Sequence, residues 1–337
     1  MKSQLNISQN YDRYPGLDIL KTICAFGVVC IHKNFPGNNS WMINCFARCA
    51  VPIFLMISGF FYFKTSPKKQ FKKILVLAIL ANTLYFCWAC FVRLIKHKSI
   101  VKYIFSLCTT KNIKNLLFFN VSPFGSHLWY LWAILYVLII VNFFQHIKKI
   151  KFLYYITPIL LLGDLLFGKY SMILLGKQFP VMYIRNFLFV GIPYFMIGTY
   201  LSHQAKSYNI IILKFSVIIF TLTSFFERWF IRFIDMNAKR EHYLSTTFLS
   251  IAMFLLFINM YNQKKLNTFE TILARIGRYY STGIYIVHII IEKLFDMYIK
   301  DTSLYTIYKF IAPICIFISS LLITMGYKFI FNQIKKH

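Results

Sequence analysis

The chain has 337 residues, of which 58% are hydrophobic and only 14% charged, with a mean hydropathy of +0.59. A soluble domain carries about 45–50% apolar and about 25% charged residues, so this composition leaves too little polar surface to cover a soluble core. The net charge of +28 comes from 38 Lys and Arg against 10 Asp and Glu. In a soluble chain that excess would point to nucleic acid. Here the cations sit mostly at the ends of apolar runs, where they anchor helices and meet anionic lipid, so membrane lipids rather than nucleic acid are the expected partners.

Residues 1–15 are polar and lack a cleavable leader pattern, so the first apolar helix is expected to act as an uncleaved signal-anchor. About ten apolar stretches follow, near 16–34, 42–63, 71–95, 127–146, 152–168, 181–201, 209–230, 243–261, 279–298 and 305–331. None alternates in the manner of a barrel strand. The expected fold is therefore all-α, a polytopic transmembrane bundle forming one domain over 1–337. The basic connections at 64–73, 148–151 and 262–278, with Lys335 and Lys336, put both termini in the cytoplasm. Loop 96–126, with Lys96, Lys98, Lys102, Lys111 and Lys114, runs against that count and is long enough to hold a short helix of its own. The basic segment 228–242 is expected to be an amphipathic surface piece.

An ionisable side chain inside a span is costly without a partner or water and marks a functional position. The first span, "LDILKTICAFGVVCIH", carries Asp18, Lys21 and His32. At about 100° per residue, Lys21 and His32 lie about 20° apart and about 16 Å along the axis, with Asp18 within about 60° of both. The three make one polar stripe that is expected to face the bundle interior; an Asp18–Lys21 pair at the membrane edge is the structural alternative. The second span, "CFARCAVPIFLMISGFF", places Arg48 ahead of a Pro52 kink and a Ser58-Gly59 packing pair. Arg48 is expected beside His32, where a cation favours the neutral imidazole. "HLWYLW" offers His127, Trp129 and Tyr130 as an interfacial belt or a substrate-facing wall. Glu241 and His242 stand at the outer mouth of the eighth span and His288 lies inside the ninth. The eight cysteines fall mostly within apolar runs, without the partners of a zinc site or a disulfide framework, so no metal is expected.

These pieces, in this order, resemble the acyltransferase-3 family of integral-membrane O-acyltransferases. "LDILKTICAFGVVCIH" is similar to its Leu-Asp, basic residue, ten residues, His signature. "ARCAVPIFLMISGFFYF", "HLWYLWAIL", "FLFVGIPYFMIGTYL" and "IGRYYSTGIYIVH" resemble the family's later motifs. The family usually has Arg where this chain has Lys21, which lacks the planar guanidinium fork. The resemblance implies an acyl-CoA donor, commonly acetyl-CoA, and as acceptor a hydroxyl of a bacterial surface glycan or its undecaprenyl-linked precursor, handled by a multi-pass protein of the cytoplasmic (inner) membrane. On that reading His32 is the general base, Arg48 meets the developing oxyanion, and Asp18 and Lys21 complete the catalytic motif. His127, Trp129, Tyr130, Glu241 and His288 face the acceptor, and Lys72, Lys73, Arg275 and Arg278 hold the donor's phosphates. A glycan transporter, flippase or polymerase would also need buried charge and is the competing reading.

Overall fold

The computed structural model describes residues 14–37, 40–204, 208–236, 238, 242–262 and 264–334. Glu241, Lys335, Lys336 and the polar segment 1–13 lie outside them. The described residues form helices and no strands. Helix α1 (Pro15–His32) opens on a proline at its first position and carries Asp18 in its first turn, both suited to a helix N-terminus. The second span is two helices, α2 (Ser40–Ala47) and α3 (Ala50–Phe60). They part at Arg48–Cys49 because Pro52 cannot donate to the carbonyl four residues before it. Then come α4 (Pro67–Ile95), α5 (Ile100–Leu107) and α6 (Thr110–Phe119), the last two being short helices of loop 96–126. A 3-10 turn at Ser126–Leu128 leads into α7 (Trp129–His146), followed by α8 (Ile150–Phe167) and α9 (Ser171–Leu175). A π-helical turn at Phe187–Gly191 runs into α10 (Ile192–His203). The chain continues through α11 (Ile210–Phe233), α12 (Leu244–Met260), α13 (Thr268–Tyr279), α14 (Ser281–Ile299) and α15 (Tyr305–Ile334). The segment expected as a surface piece from 228 is, to Phe233, the last part of α11: its apolar side chains continue the span without a break.

Among the described residues, seven helical segments are long and apolar enough to cross a membrane: 15–32, 40–60, 67–95, 126–146, 150–167, 210–233 and 305–333. The other three expected spans correspond to Phe187–His203 and Leu244–Met260, which are shorter, and to α14, which carries Glu292, Lys293 and Asp296. α11 is the most outward of the long helices, with Ile211, Ile212, Phe215, Ile218 and Leu222 exposed, as suits a face in contact with lipid.

Contacts define two ends of the bundle. At the Tyr14 end, the Lys64 ammonium donates to Tyr14 Oη at 2.8 Å and Tyr62 Oη to Gln145 Oε1 at 2.8 Å. At the His32 end, Lys33 pairs with Asp296 at 2.6 Å and Ser245 Oγ donates to Glu227 at 2.6 Å. Close crossings rest on glycine. Gly59 abuts the Phe195 carbonyl and Gly198 abuts the Met56 carbonyl, so α3 and α10 meet backbone to backbone, and Gly277 of α13 sits likewise on Asp18 of α1.

Helix α13 is docked at the Tyr14 end, where Thr22 Oγ1 donates to the Leu273 carbonyl at 2.7 Å. Its start is a reciprocal cap: Glu270 N–H donates to Asn267 Oδ1 and Asn267 N–H to Glu270 Oε2. Asn267→Ala is expected to cost about 1 kcal/mol in thermal melts of the purified protein. The ion pair with Lys264 and the Asn267 N–H hold the Glu270 carboxyl below its ordinary value of 4.5. Its folded value is depressed, so its contribution is full above that ordinary value and fades as pH falls through the lowered one. Glu270→Gln keeps the reciprocal bonds and is expected to flatten that acid-side loss.

Candidate functional site: three imidazoles at one end of the bundle

Three helices deliver three imidazoles to one place. His32 ends α1, His127 sits in the turn that starts α7, and His288 lies in α14. Their ring centroids are 5.1 Å (His32–His288), 5.6 Å (His127–His288) and 6.2 Å (His32–His127) apart. His288 and His127 are 1% and 5% exposed, whereas His32 is exposed. Among the described residues no group of His, Cys, Asp or Glu is gathered tightly enough to hold a metal ion.

The loop carrying His127 is held from several sides. Buried Asn120, in the left-handed region at φ 50°, donates to the Trp129 carbonyl and accepts from the Phe187 N–H. Ser122 Oγ donates to Asn82 Oδ1 at 2.6 Å. Tyr285 Oη donates to the His127 carbonyl, and Tyr85 Oη to the Ile286 carbonyl at 2.7 Å, so α4, α7 and α14 are locked together around the rings. The Tyr85 ring lies 4.6 Å from that of His127.

One ring has its tautomer fixed. His288 Nδ1 is 3.1 Å from the Ile284 carbonyl, which can only accept. A neutral His288 therefore carries its proton on Nδ1 and leaves Nε2 as an acceptor. The Nε2 atoms of His288 and His127 are buried and have no hydrogen-bond partner, an uncommon state that marks a place for a ligand or water. Tyr285→Phe removes the anchor on His127. It is expected to cost about 0.5–1.5 kcal/mol of stability and up to about tenfold in turnover, read as kcat falling more than KM rises.

The other expected site residues divide between the two ends. Asp18 and Lys21 pair at 2.9 Å near the Tyr14 end, with Asp18 buried and the Lys21 ammonium 5.9 Å from the Phe61 ring. They do not join His32, which stands fourteen residues further along α1, about 21 Å at 1.5 Å per residue. Arg48 stands at the break between α2 and α3. Gly27, the α1 residue that meets Ala47 and Ala50, lies about 140° round the helix from His32, and the charge of Arg48 acts on Cys45, Lys169 and Tyr243. There burial lowers the Lys169 ammonium to about 8, aided by repulsion from Arg228 and Arg48. Trp129 and Tyr130 flank the imidazoles: Tyr130 packs on Tyr285 at 5.5 Å, and the Arg185 guanidinium lies over the Trp129 ring at 5.5 Å. Lys72, Lys73, Arg275 and Arg278 are exposed at the Tyr14 end. The charge of Lys73 reaches Lys328, which lies over Tyr279 and Tyr280, and Arg278 also packs on Tyr279.

Two features escape the sequence reading. The cations whose charge reaches His127 are Arg185 and Lys293. Asp164 of α8 accepts from His242 Nδ1 at 2.8 Å, both side chains being 5% exposed, and Arg185 lines a small cleft with this pair. Asp164 was visible as an acid within "LLLGDLLF" and His242 as a residue at the mouth of the eighth span; their pairing across 78 residues was not.

No curated protein and no solved structure matches the chain. The family model described as an acyltransferase domain matches residues 14–332. That match takes in every described imidazole, cation and tyrosine of the site, and the chain belongs to the acyltransferase-3 family, as a membrane acyltransferase.

Proposed function

We propose that the protein moves an acyl group, acetyl in the first instance, from acyl-CoA to a hydroxyl of a bacterial surface polysaccharide or its undecaprenyl-linked precursor. The observation that carries this reading is the gathering of His32, His127 and His288 from three separate helices, two of them with unpartnered buried nitrogens. A sugar hydroxyl is a weak nucleophile near neutral pH and needs a base within reach. His32, the exposed ring of the three, takes the hydroxyl proton as the oxygen attacks the thioester carbonyl. The tetrahedral oxyanion collapses, the carbon–sulfur bond breaks, and the proton passes from His32 to the CoA thiolate. Arg185, stacked over Trp129, supplies the positive charge for the oxyanion that the sequence reading assigned to Arg48. His127, His288 and Tyr130 position the acceptor.

The donor enters at the Tyr14 end, where Lys72, Lys73, Arg275 and Arg278 offer cations for its phosphates. Ten crossings with both termini in the cytoplasmic compartment fit the helix directions: α1 and α14 run the same way, as Thr22–Leu273 at one end and Lys33–Asp296 at the other require. The lysines at 64–73 and 148–151 favour the same orientation in the inner membrane. Mass spectrometry of surface glycan from cells with and without the gene tests the proposal. A loss of one acyl unit per repeat on deletion supports it; an unchanged acyl content with shorter or absent glycan contradicts it.

A further inference from the structure

Beside the imidazoles, α4, α14 and the approach to α7 line an open cavity of about 450 Å³, within the range of a small-ligand site. Four cations line it: Arg93, Lys96, Lys293 and Lys300. The one acid on its wall, Asp296, is already held by Lys33 at 2.6 Å, so the cavity keeps a net positive charge. Its remaining wall is largely aromatic, from Tyr85, Trp88 and Phe124. A concave wall of one sign focuses its field and draws in the opposite charge, while aromatic faces suit the apolar side of a sugar ring or prenyl chain.

The cavity adjoins the imidazoles. Tyr85 lines it and touches the His127 ring, Lys293 lines it and acts on His127, and Lys33, which holds Asp296, follows His32 directly in the chain. We infer that this cavity binds an anionic group, phosphate or carboxylate, on the acyl acceptor, and so sets acceptor choice. The inference rests on the acyl-transfer reading above and goes past it in naming the acceptor's charge. The donor's phosphates have their own cations at the Tyr14 end, about 21 Å away along α1, which leaves this end to the acceptor.

The test uses the full-length protein in lipid nanodiscs and the triple variant Lys96→Gln, Lys293→Gln, Lys300→Gln, all three side chains being exposed. Polyprenyl phosphate and glucuronic acid are titrated as separate probes, with polyprenol as the neutral control. The triple variant is expected to bind one anionic probe about tenfold or more weakly and polyprenol unchanged. Weakened polyprenyl phosphate identifies a lipid-linked precursor; weakened glucuronic acid identifies an acidic sugar. The matching Lys→Arg triple variant retains binding, which separates charge from misfolding. Equal binding of both probes by parent and triple variant overturns the inference, as does CoA displacing the bound probe from the parent. His32→Ala is read in parallel: transfer lost with probe binding intact supports both proposals, whereas transfer retained sinks the acyl-transfer assignment independently of the binding result.

Discussion

His32→Ala is expected to lower acyl transfer by about 10²–10⁴-fold, the usual contribution of a positioned general base, while the protein still inserts and melts normally. The ring is exposed at the end of α1, so its removal leaves no cavity in the packed interior. Its neighbours differ: His288 is buried against its own helix with Nδ1 committed to the Ile284 carbonyl, and His127 is enclosed by Tyr85 and Tyr285. Their alanine variants are expected to combine lost activity with lost stability. Transfer rates and melting temperatures measured on the same purified samples separate the two classes. Near-parental transfer by His32→Ala would remove the base assignment.

The largest structural effect is expected from Gly198→Leu. A Cβ at Gly198 would overlap the Met56 carbonyl, and one at Gly59 would overlap Phe195 from the other side. Both obstacles are main chain, so no side-chain rotation relieves the contact, and α3 and α10 must move apart. Overpacking a tight contact costs about 1–3 kcal/mol, occasionally more, and this one places a four-carbon side chain where one carbon does not fit. Gly198→Leu should give little folded protein and Gly198→Ala a clearly lowered melting temperature in detergent. A Gly198→Leu protein that melts with the parent would show that the crossing is looser than described. Gly176 offers the contrast: it has open space around it, and its φ of 62° makes backbone strain the only cost of a substitution there.

Much of the fold was legible because a membrane forces long apolar runs and flanking cations onto the sequence. The polar positions were legible for the same reason, since Asp18, His127 and His288 each interrupt an apolar stretch. What the sequence could not supply was pairing between distant segments. The period of α1 puts Lys21 and His32 on one face, and the Asp18–Lys21 pair weighed from the sequence is present at one end, but the period does not say that His32 meets rings from α7 and α14 at the other. Arg48 was expected beside His32 because it opens the second span near the end of the first; nothing in that placement says that its charge also acts on Lys169 and Tyr243, far along the chain. Arg185 sits just before a π-helical turn, at a span edge where a cation reads as ordinary anchoring; only the fold brings it over Trp129.

The central claim, that a thioester and an alcohol react beside these imidazoles, is tested most directly by following the acyl carbon. Proteoliposomes holding the protein are supplied with acetyl-CoA labelled with carbon-13 in the acetyl group, together with surface glycan from the same cells, and the glycan is weighed by mass spectrometry. The account predicts labelled ester on the glycan with the parent protein and none with His32→Ala. Glycan that crosses the bilayer or lengthens without taking up label would contradict it and return the protein to transport or polymerisation.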